Sequence, residues 1–403
     1  MYDAIVVGAR CAGSPTAMLL ARKGYRVLLM DKDSFPSDTM STLAIWPHGA
    51  EALDRWGLYD KLAETGCPPT ALKMRFDVGP FALVGGVTIT NGGRGGFCPR
   101  RTVLDKLLVD AATESGAELR ENFTVESLLW ENDRVVGIRG HERNGSPVEE
   151  RARIVIGADG VHSFVAKAVD APEYNAVPPL ATYFYSYFSG IDADDVEQYT
   201  LESEGAAYFP THDGLTIVAT VWKAHRFKEI REDIEGNVMR VHRKIPELAE
   251  RLEGARREEP WVGTAGIPNM FRRPYGPGWA LVGDAGYVKD PLTGQGINDG
   301  FIDAENLADA IDAGFAGRQP LDDAMANYET SRNERVTPMF HFTCELASLE
   351  PPPPEMQQLF AAMHGNQEAT DQFYSAITGS LPLPQFMDPE NIGRIMSRAA
   401  MSA

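Results

Sequence analysis

The stretch Gly8-Ala9-Arg10-Cys11-Ala12-Gly13 has residue types and spacing suited to chemistry. A glycine at position 8 permits a tight turn, and one at position 13 lets a helix pack close to a strand. The first N–H groups of that helix then offer donors and partial positive charge to a pyrophosphate. The flanks supply the needed elements. Tyr2–Val7 is an apolar, β-branched run. Ser14-Pro15 opens a helical stretch over 16–23, with proline suited to the first turn and Gly24 to the stop. A second apolar run, 25–30, ends at Asp31, where an acid can accept hydrogen bonds from an adenosine ribose. The whole reads as one βαβ dinucleotide unit. Arg10 stands where G-x-G-x-x-G has its middle glycine. Its side chain either points away or lies along the dinucleotide and adds charge, and restoring glycine there should be tolerated. The competing reading is an ordinary tight βα turn.

The 403 residues are enough for two domains or one large domain with an inserted lobe, and 43% of them are apolar, as in globular proteins. A net charge of −19 argues against nucleic acid or an anionic membrane as partner, because both bind basic surfaces. No window approaches the roughly 18 apolar residues that span a bilayer. The chain opens directly on a strand, which leaves no room for a signal peptide. Cys11, Cys67, Cys98 and Cys344 have neither metal nor redox spacing. A cytoplasmic monomer or homodimer with no metal and no integral membrane segment is expected.

Further along, 49–56 reads as a helix, 72–78 and 81–90 as a hairpin, and 91–96 as a loop because no strand and helix flank its glycines. Leu104, Leu107, Leu108 and Ala111 mark an amphipathic helix over 101–115. Strands are expected at 117–120 and 123–130, with 134–139 pairing 152–156 around Asn144-Gly145. From Pro172 prolines and aromatics dominate. In a strand over 181–188, Tyr183, Tyr185 and Tyr187 share one face. Segments 206–210 and 215–222 continue that sheet, and 228–252 is helical with a break near Pro246. A buried strand, 279–282, leads into Gly283-Asp284-Ala285, and a long helix covers 298–313. Helices over 321–349 and 355–378 should pack outside the first domain.

Four motifs then stand in order: Gly8 to Gly13; Arg101-x-x-Leu104-x-x-x-Leu108; Gly157-Ala158-Asp159-Gly160-x-x-Ser163; and Gly283-Asp284-Ala285 with Pro291-x-x-Gly294-x-Gly296-x-Asn298. This set resembles the single-component FAD-dependent aromatic hydroxylase (group A monooxygenase) family, with similarity to its geranylgeranyl-reductase branch and to flavin halogenases. The resemblance implies an α/β (α+β) fold. It has a Rossmann-like FAD-binding domain of the glutathione-reductase/p-hydroxybenzoate-hydroxylase type, an inserted antiparallel-sheet substrate domain, and C-terminal helices. Residues 1–71, 99–170 and 276–345 would form the FAD domain, 72–98 and 171–275 the substrate domain, and 346–403 the C-terminal helical segment.

The same resemblance implies the ligands. Gly8, Ala9, Arg10 and Gly13 would hold the pyrophosphate, and Asp31 with Lys32 the adenosine end. Arg101 would reach the phosphates or ribityl chain, and Val125 the adenine through its backbone. Gly283 and Asp284 would face the ribityl chain. Pro291, Gly294, Gly296, Ile297 and Asn298 would surround the flavin ring, with helix-start amides at its N1/C2=O edge, where reduced flavin is negative. Asp159 is the family's marker for coupling FAD to NAD(P)H, by holding structure. Taken alone, each has a competing reading: Asp159-Gly160 as a turn, Asp284 as a helix cap and Arg101 as a surface charge.

FAD is thus the expected cofactor, with NAD(P)H as transient co-substrate because no second dinucleotide fold is legible. The implied cycle hydroxylates an electron-rich small organic substrate with O2 through a flavin C4a-hydroperoxide. Tyr183, Tyr187 and Tyr208 are candidate substrate contacts, with core packing as the alternative. His48, Tyr185 and His212 are candidate catalytic groups, the histidines as proton carriers. The halogenase reading lacks its Trp-x-Trp-x-Ile-Pro motif. A prenyl reductase is the main alternative, since Tyr208-Phe209-Pro210 and the Gly-Ala-Arg-Cys-Ala-Gly turn suit that branch. A non-catalytic flavoprotein is a third.

Overall fold

The computed structural model describes residues 1–70, 73–77, 81–87, 94–143, 145–193 and 195–402. The opening unit folds as strand β1 (Tyr2–Val7), helix α1 (Gly13–Arg22) and strand β2 (Val27–Met30). Helix α2 (Arg101–Glu114), β3 (Glu118–Arg120) and β4 (Val148–Gly157) follow. The strands form a parallel sheet in the order β3–β2–β1–β4, completed by Trp279–Leu281 beside β4. The continuous apolar runs suit strands covered on both faces. Ala4, Val6, Leu29 and Ile156 pack under α1, α2 and the later helix α3 (Gly296–Phe315). Ile5, Val7, Leu28 and Val155 pack on the other side against Phe123, Val135, Ile138 and Val165.

One expected pairing is corrected. The antiparallel meander of Phe123–Glu131 and Arg134–Glu142 joins β4 only at Val148 to Arg151, while Ala152 to Gly157 pairs in parallel with β1. The reason is polarity: Val148-Glu149-Glu150-Arg151 suits an exposed ribbon, and Ile154-Val155-Ile156 suits a covered sheet centre. Of the expected hairpin, Lys73–Asp77 pairs with Ala82–Gly86. Its flanks at 71–72, 78–80 and 88–90, residues 91–93 of the 91–96 loop, and Asn144 lie outside the described residues.

A second, antiparallel sheet is built on β5 (Ala181–Ser189), β6 (Glu204–Pro210) and β7 (Thr216–Lys223), with β7 between the other two. Register puts Tyr183 opposite Val221, Tyr185 opposite Ala219 and Tyr187 opposite Ile217. These residues share one face with Ala207 and Phe209. The opposite face carries Phe184, Tyr208, Val218 and Trp222 and packs on helices Ile234–His242 and Pro246–Glu253. The helical region expected to break only near Pro246 also breaks at Asp233, whose carboxylate caps the Gly236 amide.

The C-terminal helices divide in role. Helix α4 (Leu321–Ala347) lies along α3, as expected for packing outside the first unit. Helices α5 (Pro354–Met363) and α6 (Gln367–Ile377) do not. They pack on the Ala82–Gly86 strand and the tyrosine face, with the Tyr374 hydroxyl donating to the Leu83 carbonyl at 2.6 Å. Phe360, Phe373 and Ile377 need an apolar partner, and that face supplies it. No described helix is long and apolar enough to cross a membrane.

Candidate active site

The glycine turn is shaped by contacts within the protein. Gly8 has φ +102°, and a Cβ there would sit 2.4 Å from the Ala158 carbonyl oxygen. A Cβ on Gly13 would sit 1.8 Å from the Gly8 carbonyl oxygen. Both positions therefore demand glycine if the helix is to start against the strand. The Asp31 carboxylate accepts the Ala9 amide at 2.7 Å and the Asp33 amide at 3.0 Å. Its burial raises its pKa against the pull of those amides. The Ala9 amide is thus committed to Asp31, whereas Cys11 and Ala12 keep amides with no protein acceptor among the described residues.

Arg10 is more engaged than its sequence suggests. Its guanidinium donates to Asp105 at 2.6 Å, Asp33 at 3.1 Å and the Ser37 hydroxyl at 3.0 Å, and lies over the Phe35 ring. Arg101, for which a surface charge is the competing reading when it is taken alone, is buried and forks onto Asp105, leaving Nη1 without a partner among the described residues. Asp159 caps the helix Phe164–Ala168 by accepting the Phe164 and Val165 amides at 2.7 and 3.1 Å and the Ser163 hydroxyl. Burial pushes its carboxyl up.

The second half of the site sits at the start of α3. Gly283 and Gly294 adopt φ +59° and +64°, and Gly283 abuts Ala12, so this turn packs directly on the first one. The Asn298 side chain accepts the Trp46 amide at 2.8 Å and donates to Ala44 and Gly294, fixing the 44–46 segment to the helix start. The amides of Gly296, Ile297 and Asn298 have no protein acceptor among the described residues. Asp284 makes no hydrogen bond among them either. Its side chain is open to an internal lumen yet enclosed by protein, and that enclosure pushes its carboxyl up to about 6.

These groups converge on one cavity of about 1860 Å³. Gly8, Arg10, Asp31, Lys32, Arg101, Val125, Asp159, Gly283, Asp284, Pro291, Gly296 and Ile297 all line it. Ala9, Gly13, Gly294 and Asn298, also expected at the cofactor, do not line it. A pocket for one small molecule measures roughly 300–1,000 Å³, so this volume takes a dinucleotide and a second ligand together. An enclosed carboxylate without a partner, free amides at two helix starts and an open guanidinium nitrogen fit the hydroxyls, diphosphate and ring of FAD.

The same cavity includes an apolar chamber, with Phe209, Ile217, Phe360 and Phe373 on its lining. Tyr183 and Tyr185 line it; Tyr183 donates to Asp290, and the Tyr185 hydroxyl accepts the Ser41 amide at 3.3 Å. The other expected contacts do not reach it. Tyr187 lies buried under the Arg100 guanidinium. Tyr208 is on the opposite face of the sheet, where its hydroxyl meets His242 Nδ1 at 3.1 Å, because even and odd strand positions alternate. His48 packs against Gly379, with its pKa lowered to about 4 chiefly by burial. His212 ties Thr65 Oγ1 to the Arg100 amide, at 2.8 and 3.1 Å, and burial lowers its pKa too. Neither histidine lines the cavity.

Sequence reasoning missed the roof. Phe360, Phe373, Tyr374 and Ile377 line the chamber from α5 and α6. Phe373, Tyr374 and Ile377 lie at i, i+1 and i+4, an apolar helical stripe that announces burial but not what it is buried against.

A family model described as FAD binding domain matches residues 1–343. A digeranylgeranylglycerophospholipid reductase of Methanocella arvoryzae is 27% identical over 341 residues, 79% of this chain and 81% of that protein. Among solved structures, the myxobacterial chondrochloren halogenase CndH has a TM-score of 0.80 at 22% identity, covering 99% of this chain and 96% of that one. PqsL, a probable FAD-dependent monooxygenase from Pseudomonas aeruginosa, has a TM-score of 0.71 at 20% identity, covering 94% and 100%. At such identities these two likenesses bear on the fold alone. The chain belongs to the FAD binding domain family, and FAD is its cofactor.

Proposed function

We propose that the protein is a monooxygenase that uses NAD(P)H and O2 to hydroxylate an apolar, electron-rich organic substrate. The observation that supports this best is the chamber continuous with the Asp284–Gly296 region, walled by Tyr185, Phe209 and Ile217 and roofed by Phe360 and Phe373. Bound FAD supplies the redox chemistry, accepting hydride from NAD(P)H and activating O2. The chain's residues bind, orient and exclude water. Asp31 holds the adenosine ribose, Arg101 with the Cys11 and Ala12 amides the diphosphate, and Asp284 a ribityl hydroxyl. The free amides at the start of α3 face the ring edge that becomes negative on reduction. The aromatic roof keeps water from the reacting centre. Tyr185 presents a hydroxyl at the chamber wall beside the substrate. Parallel pairing is confined to one sheet among the described residues, so NAD(P)H visits rather than occupies a fold of its own.

A second reading is reduction of a polyprenyl chain. The reductase relatives favour it, and so does the cavity's size, since its lining also takes in Gln198 to Gly205, Leu349 and Pro351 to Pro353. Oxygen-electrode measurements during substrate-stimulated NAD(P)H oxidation separate the two. Hydroxylation consumes one O2 per nicotinamide, whereas anaerobic turnover of an unsaturated chain would replace the first reading with the second. Failure of every nicotinamide to bleach the flavin under anaerobic conditions would remove both.

A further inference from the structure

The middle position of the opening glycine turn is filled by an arginine whose partners suggest what it does. Asp105 is fully buried and receives Arg101 through Nε and Nη2, both at 3.0 Å. That pair alone is neutral, with little net charge left for an anion. Arg10 adds a second guanidinium to the same carboxylate at 2.6 Å. Two cations around one carboxylate leave one net positive charge within this triad, and Arg10 and Arg101 both line the cavity. Further carboxylates face the triad: Asp31 and Asp33 face Arg10, and Asp284 faces Arg101 with its carboxyl pushed up by enclosure. Cys11 donates its thiol to Asp105 at 3.3 Å. Asp33 also pairs with Arg10, but its side chain is 42% exposed and screened by solvent. Asp31 accepts the Ala9 and Asp33 amides, one on each oxygen, which orients its carboxylate without neutralising it.

We propose that Arg10 is a positioning and charge-compensating residue: by sharing Asp105, it frees the charge of Arg101 for the FAD diphosphate, replacing the close backbone approach that a glycine would allow. The inference rests on the FAD placement proposed above and not on the reaction.

The test is equilibrium binding of FAD to the full-length apoprotein at several salt concentrations, with apoprotein melting recorded alongside. Arg10→Ala should weaken FAD roughly tenfold and flatten the salt dependence. Arg10→Gly should do the same, although it restores the usual fingerprint. The double variant Arg10→Ala/Asp105→Asn should recover affinity, because losing the carboxylate restores the net positive charge. Unchanged affinity and salt dependence in Arg10→Ala would overturn the proposal, as would a double variant no better than the single one. Should Arg10→Ala fail to fold, Arg10→Lys decides: it keeps the charge and should keep most of the affinity, and a salt-independent collapse of binding would show a purely structural role. Absence of FAD binding by the unmodified protein would instead refute the cofactor placement itself.

Discussion

At the scale of single residues, polar groups divide by whether protein or lumen satisfies them. His242 is wholly internal, between the Tyr208 hydroxyl and Thr220 Oγ1 at 3.1 and 3.0 Å. Burial lowers its pKa to about 4. A histidine takes up its proton near 6.5 once unfolded, so its contribution is fully present above that value. It is lost as pH falls from about 6.5 toward 4, reaching about 3 kcal/mol at the acid end. The urea midpoint should therefore drop between pH 7 and 5. His242→Gln should flatten that drop in part, since His48 carries a similar shift. An unaltered slope in the variant would show that His242 is not the group responsible. The alternation that sends Tyr208 to His242 and Tyr185 to the chamber was legible as alternation. Which face lines the cavity was not, because both faces of this sheet are apolar and covered.

At the scale of elements, local patterns were read well wherever the chain's own chemistry specifies them. The βαβ opening, α2 and α3 follow from apolar periodicity and glycine punctuation. The pairing of β4 was misjudged because strand pattern does not name a partner, and the polar-to-apolar change at Arg151 to Ala152 marks the switch. Helices α5 and α6 show the same limit. Phe373 is buried among Phe342, Phe360, Tyr374 and Phe386. Phe373→Ala should cost about 3–5 kcal/mol in urea unfolding, as for other large core aromatics. A loss within experimental error would mean that the roof is not packed as described.

At the scale of the molecule, FAD binding and folding are linked, because a ligand held only by the native state stabilises it by about 2.7 kcal/mol at one hundred times its Kd. FAD should raise the melting temperature of the apoprotein, and Asp284→Ala should abolish most of that rise and purify nearly colourless. A yellow variant with an undiminished shift would remove Asp284 from the cofactor site. By itself the sequence determined the dinucleotide unit and the order of the four motifs, since glycine turns, caps and apolar periods act over a few residues. Only the tertiary structure decided which tyrosines face the chamber, that His48 and His212 are bound up in packing, and that Arg10 meets Asp105. Those outcomes depend on contacts between residues far apart in the chain, and no local pattern encodes them.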